Sequence, residues 1–194
     1  MTVSTTKTPP VDLEADLLVI PFTEEPAAPL VEALASTLGT AIERAADDFA
    51  AEAGDVRVVY PETAVATRVA FVGAGPAADL DAEALRTAAA AGSDAAREHE
   101  ADTVACLFPA EGGLDDETAA QALVEGFVLG TYTYRRYKTD DDVSGPSTFV
   151  LHVGDDRDAD AAQAGADRGH DLASAVCTAR DLVNRSPNDK TAEA

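Results

Sequence analysis

Asp16-Leu17-Leu18-Val19-Ile20-Pro21-Phe22, DLLVIPF in one-letter code, is a nearly continuous apolar run closed by the polar Thr23-Glu24-Glu25. A strand with one wet face alternates apolar and polar positions, whereas a strand covered on both faces stays apolar throughout. The run predicts a buried strand over 16–22 that needs covering layers above and below it. Working outward, the chain supplies them. Leu30, Leu34, Leu38, Ile42, Ala45 and Phe49 recur at helical spacing, with Gly39 as a possible break between two helices. Short apolar runs at 56–60, 67–73, 103–108 and 148–153 read as further strands. Asp81 caps an Ala-rich helix running to about 98, and another helix starts at Asp116 or Thr118. That second helix carries Ala120, Leu123, Val124, Phe127, Val128 and Thr131 on one stripe. From about Ala159 a last long helix carries Leu172, Ala175, Val176, Ala179 and Val183 along one face. Strands spaced by helices predict an α/β layered domain with a largely parallel or mixed central sheet and helices on both faces.

Composition bounds what such a domain can do. The 194 residues suit one domain, and 46% hydrophobic content gives it a core, although Ala dominates and aromatics reach only 5%. The formal net charge is -22, with eleven Arg and only the three lysines Lys7, Lys138 and Lys190. Phosphate binding needs clustered cations, so nucleic-acid and anionic-membrane partners are disfavoured. A Lys-poor acidic surface instead predicts a halophilic or salt-tolerant protein. Cys106 and Cys177 are far apart, lie in apolar surroundings and read as two buried, reduced thiols of a cytoplasmic protein. Neither a signal-peptide pattern nor an apolar run long enough to span a membrane is present.

Few stretches suggest chemistry. Gly73-Ala74-Gly75-Pro76-Ala77-Ala78 follows a strand and fits G-x-G-x-x-A. A dinucleotide site needs free backbone N–H groups, and Pro76 removes one while Asp81 brings negative charge. The turn reads as a tight strand-to-helix connection. His99, His152 and His170 are isolated in sequence, and Asp115-Asp116 and Asp140-Asp141-Asp142 read as a helix start and a solvated loop. The segment from Gly130 to Thr139 holds three of the four tyrosines and the three cations Arg135, Arg136 and Lys138. Aromatics interleaved with cations can stack on single-stranded bases, but in so negative a chain a packed aromatic segment at a helix end is the expected reading.

The same segment begins a family resemblance. Glu125-Gly126-Phe127-Val128-Leu129-Gly130, leading into Tyr132-x-Tyr134-x-Arg136-Tyr137-Lys138, resembles a helix and Y-x-F-x-x-Y-K stretch of the leucyl aminopeptidases, the cytosol aminopeptidase or M17 metallopeptidase family. Ala179-Arg180-Asp181-Leu182-Val183-Asn184, followed by Pro187-Asn188, resembles that family's A-R-D-L-x-N-x-P-x-N-x-x-T-P-E. Arg68-Val69-Ala70-Phe71-Val72-Gly73-x-Gly75 is similar to its third-strand pattern. Ser186 and Ala192 depart from it, each standing where Pro is common.

The resemblance implies a macro-domain-like fold over 1–184, an amino-terminal non-catalytic domain. Residues 185–194 would start a linker to a catalytic domain absent from this chain, Thr191-Ala192-Glu193-Ala194 opening its next helix. It implies a parent hydrolase that uses two divalent metal ions, Mn or Zn, to remove N-terminal residues such as leucine from peptides, within a homo-hexamer. This part would support assembly and active-site access, with the catalytic domain of the same chain as partner and no catalytic, cofactor-binding or metal residues of its own. Arg180, Asn184, Pro187 and Asn188 are expected to fix the linker, Arg180 by bonding helix-end carbonyls and the asparagines by satisfying turn backbone. The alternative is a free-standing macro-like module binding ADP-ribose or a nucleotide at the Gly73–Gly75 turn. Some bacterial family members also bind DNA, a possibility the charge disfavours.

Overall fold

A computed structural model describes residues 1–26, 28–61, 66–109, 113–137 and 145–186. Six strands form one sheet: β1 Thr2–Thr6, β2 Leu17–Phe22, β3 Val56–Val59, β4 Arg68–Gly73, β5 Thr103–Leu107 and β6 Thr148–His152. Their order is β1-β6-β5-β2-β4-β3, and every pairing is parallel except the antiparallel β3 on β4. The helices are α1 Ala28–Leu38, α2 Thr40–Asp47, α3 Ala82–Glu98, α4 Asp116–Gly130 and α5 Ala159–Asn184. The α/β layered reading holds, with one addition. Thr2–Thr6 forms an edge strand that apolar patterning does not announce. Gly39 (φ 101°) does separate two helices, because that backbone favours a residue without Cβ.

All six residues of β2 are buried, as a strand sandwiched on both faces requires. Leu17 and Val19 join the core beneath α3, α4 and α5, while Leu18, Ile20 and Phe22 join Leu34, Leu38 and Ile42 of α1 and α2 on the other face. The first core centres on Phe127 stacked on Phe149, centroids 4.1 Å apart, and the second on Phe22 against Phe71 at 4.6 Å. The β2–β5 ladder runs only from Leu17–Val104 to Val19–Cys106 and stops before Pro21, which has no N–H to give.

Acidic side chains order the chain locally. Asp81, Asp115 and Asp158 each accept backbone N–H groups at the start of α3, α4 and α5, which satisfies otherwise orphaned donors and complements the helix dipole. Asp16 Oδ2 accepts from the N–H of Asp102 (3.0 Å) and Thr103 (2.9 Å), fastening the start of β5 beside β2.

The helical layer packs through small residues. The buried face of α5 is Ala162, Gly165, Ala166, Gly169 and Ala173, not the Leu172–Val183 stripe. Leu172, Val176 and Val183 are 48%, 43% and 73% exposed, so the apolar periodicity there does not mark the face that packs on α4. A Cβ on Gly165 or Gly126 would fall on the backbone of Glu117 in α4 or Arg86 in α3. Helix α4 is thus clasped between α3 and α5 at backbone distance.

Candidate functional site

Open α/β sheets commonly hold ligands outside the carboxyl ends of their strands, where adjacent strands send the chain to opposite faces. Here β2 leads to α1 on one face while β4 leads to α3 on the other, and the Gly73–Gly75 turn stands at that place. Its donors are all engaged. Gly73 N–H donates to Asp55 O (2.8 Å), Ala74 N–H to Phe22 O (2.8 Å) and Gly75 N–H to Ala51 O (3.0 Å). Pro76 has no N–H, and the following α3 N-terminus is occupied by Asp81, which accepts from Glu83 and Ala84 N–H, both at 2.9 Å. A pyrophosphate would find no free amide in this turn. Gly73 is needed because a Cβ would strike the Glu52 carbonyl of the 51–55 loop.

Four of the residues in the family-like motifs meet instead where α4 ends beside the last turns of α5. Tyr132 Oη donates to Asp181 Oδ1 (2.8 Å) and accepts from Asn184 Nδ2 (3.2 Å). The Arg180 guanidinium lies over the Tyr132 ring at 5.4 Å and donates to Leu129 O at 3.4 Å. Arg180 therefore reaches a helix-end carbonyl, that of α4, while Asn184 bonds a phenol rather than turn backbone. Tyr137 Oη accepts from the Ser186 N–H (2.9 Å), holding the chain as it leaves α5. Burial first, then the bond to Asp181, raises the Tyr132 pKa. Burial also raises that of Tyr134, whose hydroxyl lacks a hydrogen-bond partner among the described residues. The nearby Tyr137 phenol adds to that shift, although no hydrogen bond of good geometry joins the two. Asp181 stands inside the A-R-D-L motif without being among the residues expected to fix the linker; its i, i+3 spacing to Asn184, which puts both on one helix face, is the further clue in the sequence. Pro187, Asn188 and the 140–142 acidic run lie outside the described residues, as does the expected linker beyond 186.

Other reactive-looking groups serve the fold. Glu125 is 8% exposed; Arg86 Nε donates to its Oε2 at 2.6 Å and Gln121 Nε2 to its Oε1 at 2.7 Å. The Glu125 hydrogen bond is the main reason the Arg86 pKa rises. Asp116 binds Arg157 (3.0 Å) and the Asp158 N–H (2.8 Å). Cys106 is wholly buried, which pushes its pKa up to about 12, but Cys177 on α5 is only half-buried, unlike the expectation for both thiols. His99, His152 and His170 lie at the end of α3, in β6 and in α5. Among the described residues no group of three or more His, Cys, Asp and Glu could hold a metal ion. The metals implied by the resemblance therefore find no fitting donor set in these residues. No helix among the described residues is long and apolar enough to cross a membrane.

Residues 19–141 match the family described as "Cytosol aminopeptidase family, N-terminal domain". The chain is 34% identical over 195 residues to a probable cytosol aminopeptidase of Roseiflexus castenholzii, covering 98% of this chain and 38% of that protein. It is 39% identical over 137 residues to one from Chlorobium luteolum, covering 66% and 26%. Among solved structures, the bottromycin maturation enzyme BotP in complex with Mn aligns with TM-score 0.71 and 27% identity over 93% of this chain and 34% of that one. A mutant tomato leucine aminopeptidase aligns with TM-score 0.76 over 98% and 40%, and its 22% identity speaks to the fold alone. The chain thus spans between about a quarter and two fifths of the relatives it matches.

Proposed function

The chain belongs to the cytosol aminopeptidase family, of which it carries the N-terminal domain, and from that premise we propose that it is the non-catalytic part of a larger two-metal aminopeptidase. In this reading the larger enzyme removes N-terminal residues from peptides, in the cytoplasm and as a hexamer, and this domain supports assembly and shapes access to the active sites. The metals supply an activated water when bound in the catalytic region; the residues here position chain. Arg180, Asn184, Tyr132 and Asp181 tie the end of α4 to the end of α5, which sets the direction in which the chain leaves the domain. The observation that carries the reading is the match of nearly the whole chain to about two fifths of a named aminopeptidase. A free-standing ADP-ribose module is disfavoured by the engaged donors of the 73–75 turn.

The purified chain should not hydrolyse leucine p-nitroanilide, with or without added Mn²⁺ or Zn²⁺. Turnover that co-purifies with the chain through successive columns would overturn the assignment. Calorimetry with ADP-ribose separates the alternative: micromolar binding would favour the module.

A further inference from the structure

We propose that the exposed face of α5 over residues 172–183 is a self-association surface, against which a second copy of this chain lays its own α5 in the antiparallel direction. Eight large hydrophobic side chains are exposed among the described residues, and four of them, Leu172, Val176, Leu182 and Val183, lie on this stretch. Apolar side chains scattered singly over a surface need no explanation, but a contiguous patch of them marks a contact surface. Leu172, Val176, Ala179 and Val183 follow one another at intervals of four, three and four positions, the spacing of a coiled-coil seam. Ala175, also exposed, and Leu182 border that seam. The face that packs on α4 is a different one, built from small residues such as Gly165 and Gly169.

The seam fits itself. Intervals of four, three and four read the same in both directions, so two antiparallel copies set Leu172 opposite Val183 and Val176 opposite Ala179. A closed two-fold contact requires this self-complementarity. Charge selects the direction. Asp171 and Arg185 stand at the two ends of the seam. Antiparallel pairing brings each Asp171 towards the Arg185 of the other copy, whereas a parallel pair would set like charges against each other at both ends.

Two copies of so acidic a chain need a place to meet. Against a net charge of -22, residues 172–186 carry two arginines and one aspartate. Copies that join here bring together stretches of little net charge, while the carboxylates elsewhere repel from a distance. At about 0.01 M salt the Debye length of roughly 30 Å lets that repulsion act; at about 1 M it is roughly 3 Å and the apolar seam decides. The seam covers only about three helical turns, so the pairing is weak and reversible. It belongs to this chain by itself and does not rest on a larger enzyme.

The test is sedimentation velocity of the 194-residue chain from micromolar to near-millimolar concentration, at about 0.01 M and about 1 M NaCl. A reversible monomer–dimer equilibrium is expected, about tenfold or more tighter at the higher salt. Val176→Glu should weaken it by about tenfold or more, because the seam would then bury an unpaired charge. Val56→Glu, the same change at an exposed position on β3, should leave it unchanged. Circular dichroism checks that each variant folds, and Ala179→Glu carries the comparison should Val176→Glu not fold. At about 0.15 M salt, Asp171→Arg and Arg185→Asp should each weaken association severalfold, and the two together in one chain should restore it. A chain that stays monomeric in every condition would overturn the proposal and leave the seam to the region that follows in the longer relatives. A dimer that survives Val176→Glu would overturn it as well, and charge variants without effect would overturn the antiparallel arrangement.

Discussion

Cys106 lies in β5 with its thiol wholly buried, while Cys177 sits half-exposed on α5. The thiolate is the reactive form, and burial raises both pKa values, that of Cys106 to about 12. At pH 8 a thiol reagent such as DTNB should label Cys177 slowly and reach Cys106 only in denaturant; peptide mapping assigns the sites. Sequence placed both thiols in apolar surroundings, and the difference was not legible because the neighbours of Cys177, Ala175 and Val176, face outward. The pH dependence follows by linkage. The unfolded Cys106 thiol ionises near its ordinary 9.0 while the folded one holds its proton to about 12, so the folded state binds more protons in between. Stability should therefore fall as pH rises across that window, with Tyr132 and Tyr134, also raised, acting in the same direction. Below neutrality His152 acts from the other side. Burial lowers its pKa from 6.5, so the stability of its neutral form is lost as pH falls beneath that value. Denaturant midpoints from pH 5 to 11 should form a dome, and Cys106→Ala should flatten its alkaline limb while lowering the plateau by about 1 kcal/mol.

Helix α4 shows what an element needs beyond its periodicity. Gly126 approaches the Arg86 backbone in α3, and Gly165 of α5 approaches Glu117, so neither site has room for a methyl group. Gly126→Ala and Gly165→Ala should each destabilise by about 1–3 kcal/mol through overpacking. Gly113, where an added Cβ would meet nothing within 4 Å, should accept Ala within about 0.5 kcal/mol. Urea midpoints of the three variants check this, and equal values would mean the layer can shift to admit the methyl. Sequence showed five of the six strands to within a residue or so, because their apolar runs and flanking turns are strong signals. It did not show β1, Thr-Val-Ser-Thr-Thr, in which only Val3 turns an apolar side chain to the core. Parallel pairing with β6, far along the chain at Thr2–Thr148, stabilises it instead. The α5 stripe was legible as a pattern, but periodicity does not say what covers a face, and Ala and Gly rather than Leu and Val meet α4. At the candidate site, Arg180 and Asn184 were legible through their motif. Their partner Tyr132 required the fold, which brings it into contact with Asn184, 52 positions away.

For the molecule as a whole, 36 carboxylates against 14 cations make the folded surface repel itself, and unfolding spreads the charges apart. The Debye length falls from roughly 30 Å at about 0.01 M to roughly 3 Å at about 1 M. NaCl or KCl should raise the thermal midpoint substantially, most of the electrostatic gain coming below about 1 M. A variant with several exposed Asp changed to Asn should be more stable at low salt and gain less; a midpoint flat across this range would remove the salt-adaptation reading. The net charge was legible before any fold was known, but its bearing on the sheet was not. Among the described residues, strands β1 and β3 each have one flank without a neighbour in the sheet, and such flanks are templates on which a strand of another copy can add. β1 carries no charged residue that would deter this locally. At neutral pH its guard is remote: the carboxylates spread over the rest of the surface hold other copies at a distance. Salt and acid then act on two quantities in opposite senses. Conditions that relieve the crowding within one molecule also let two molecules approach edge to edge, so solubility should pass through a minimum near the isoelectric point of about 4.2, where the guard lapses and the open strand remains.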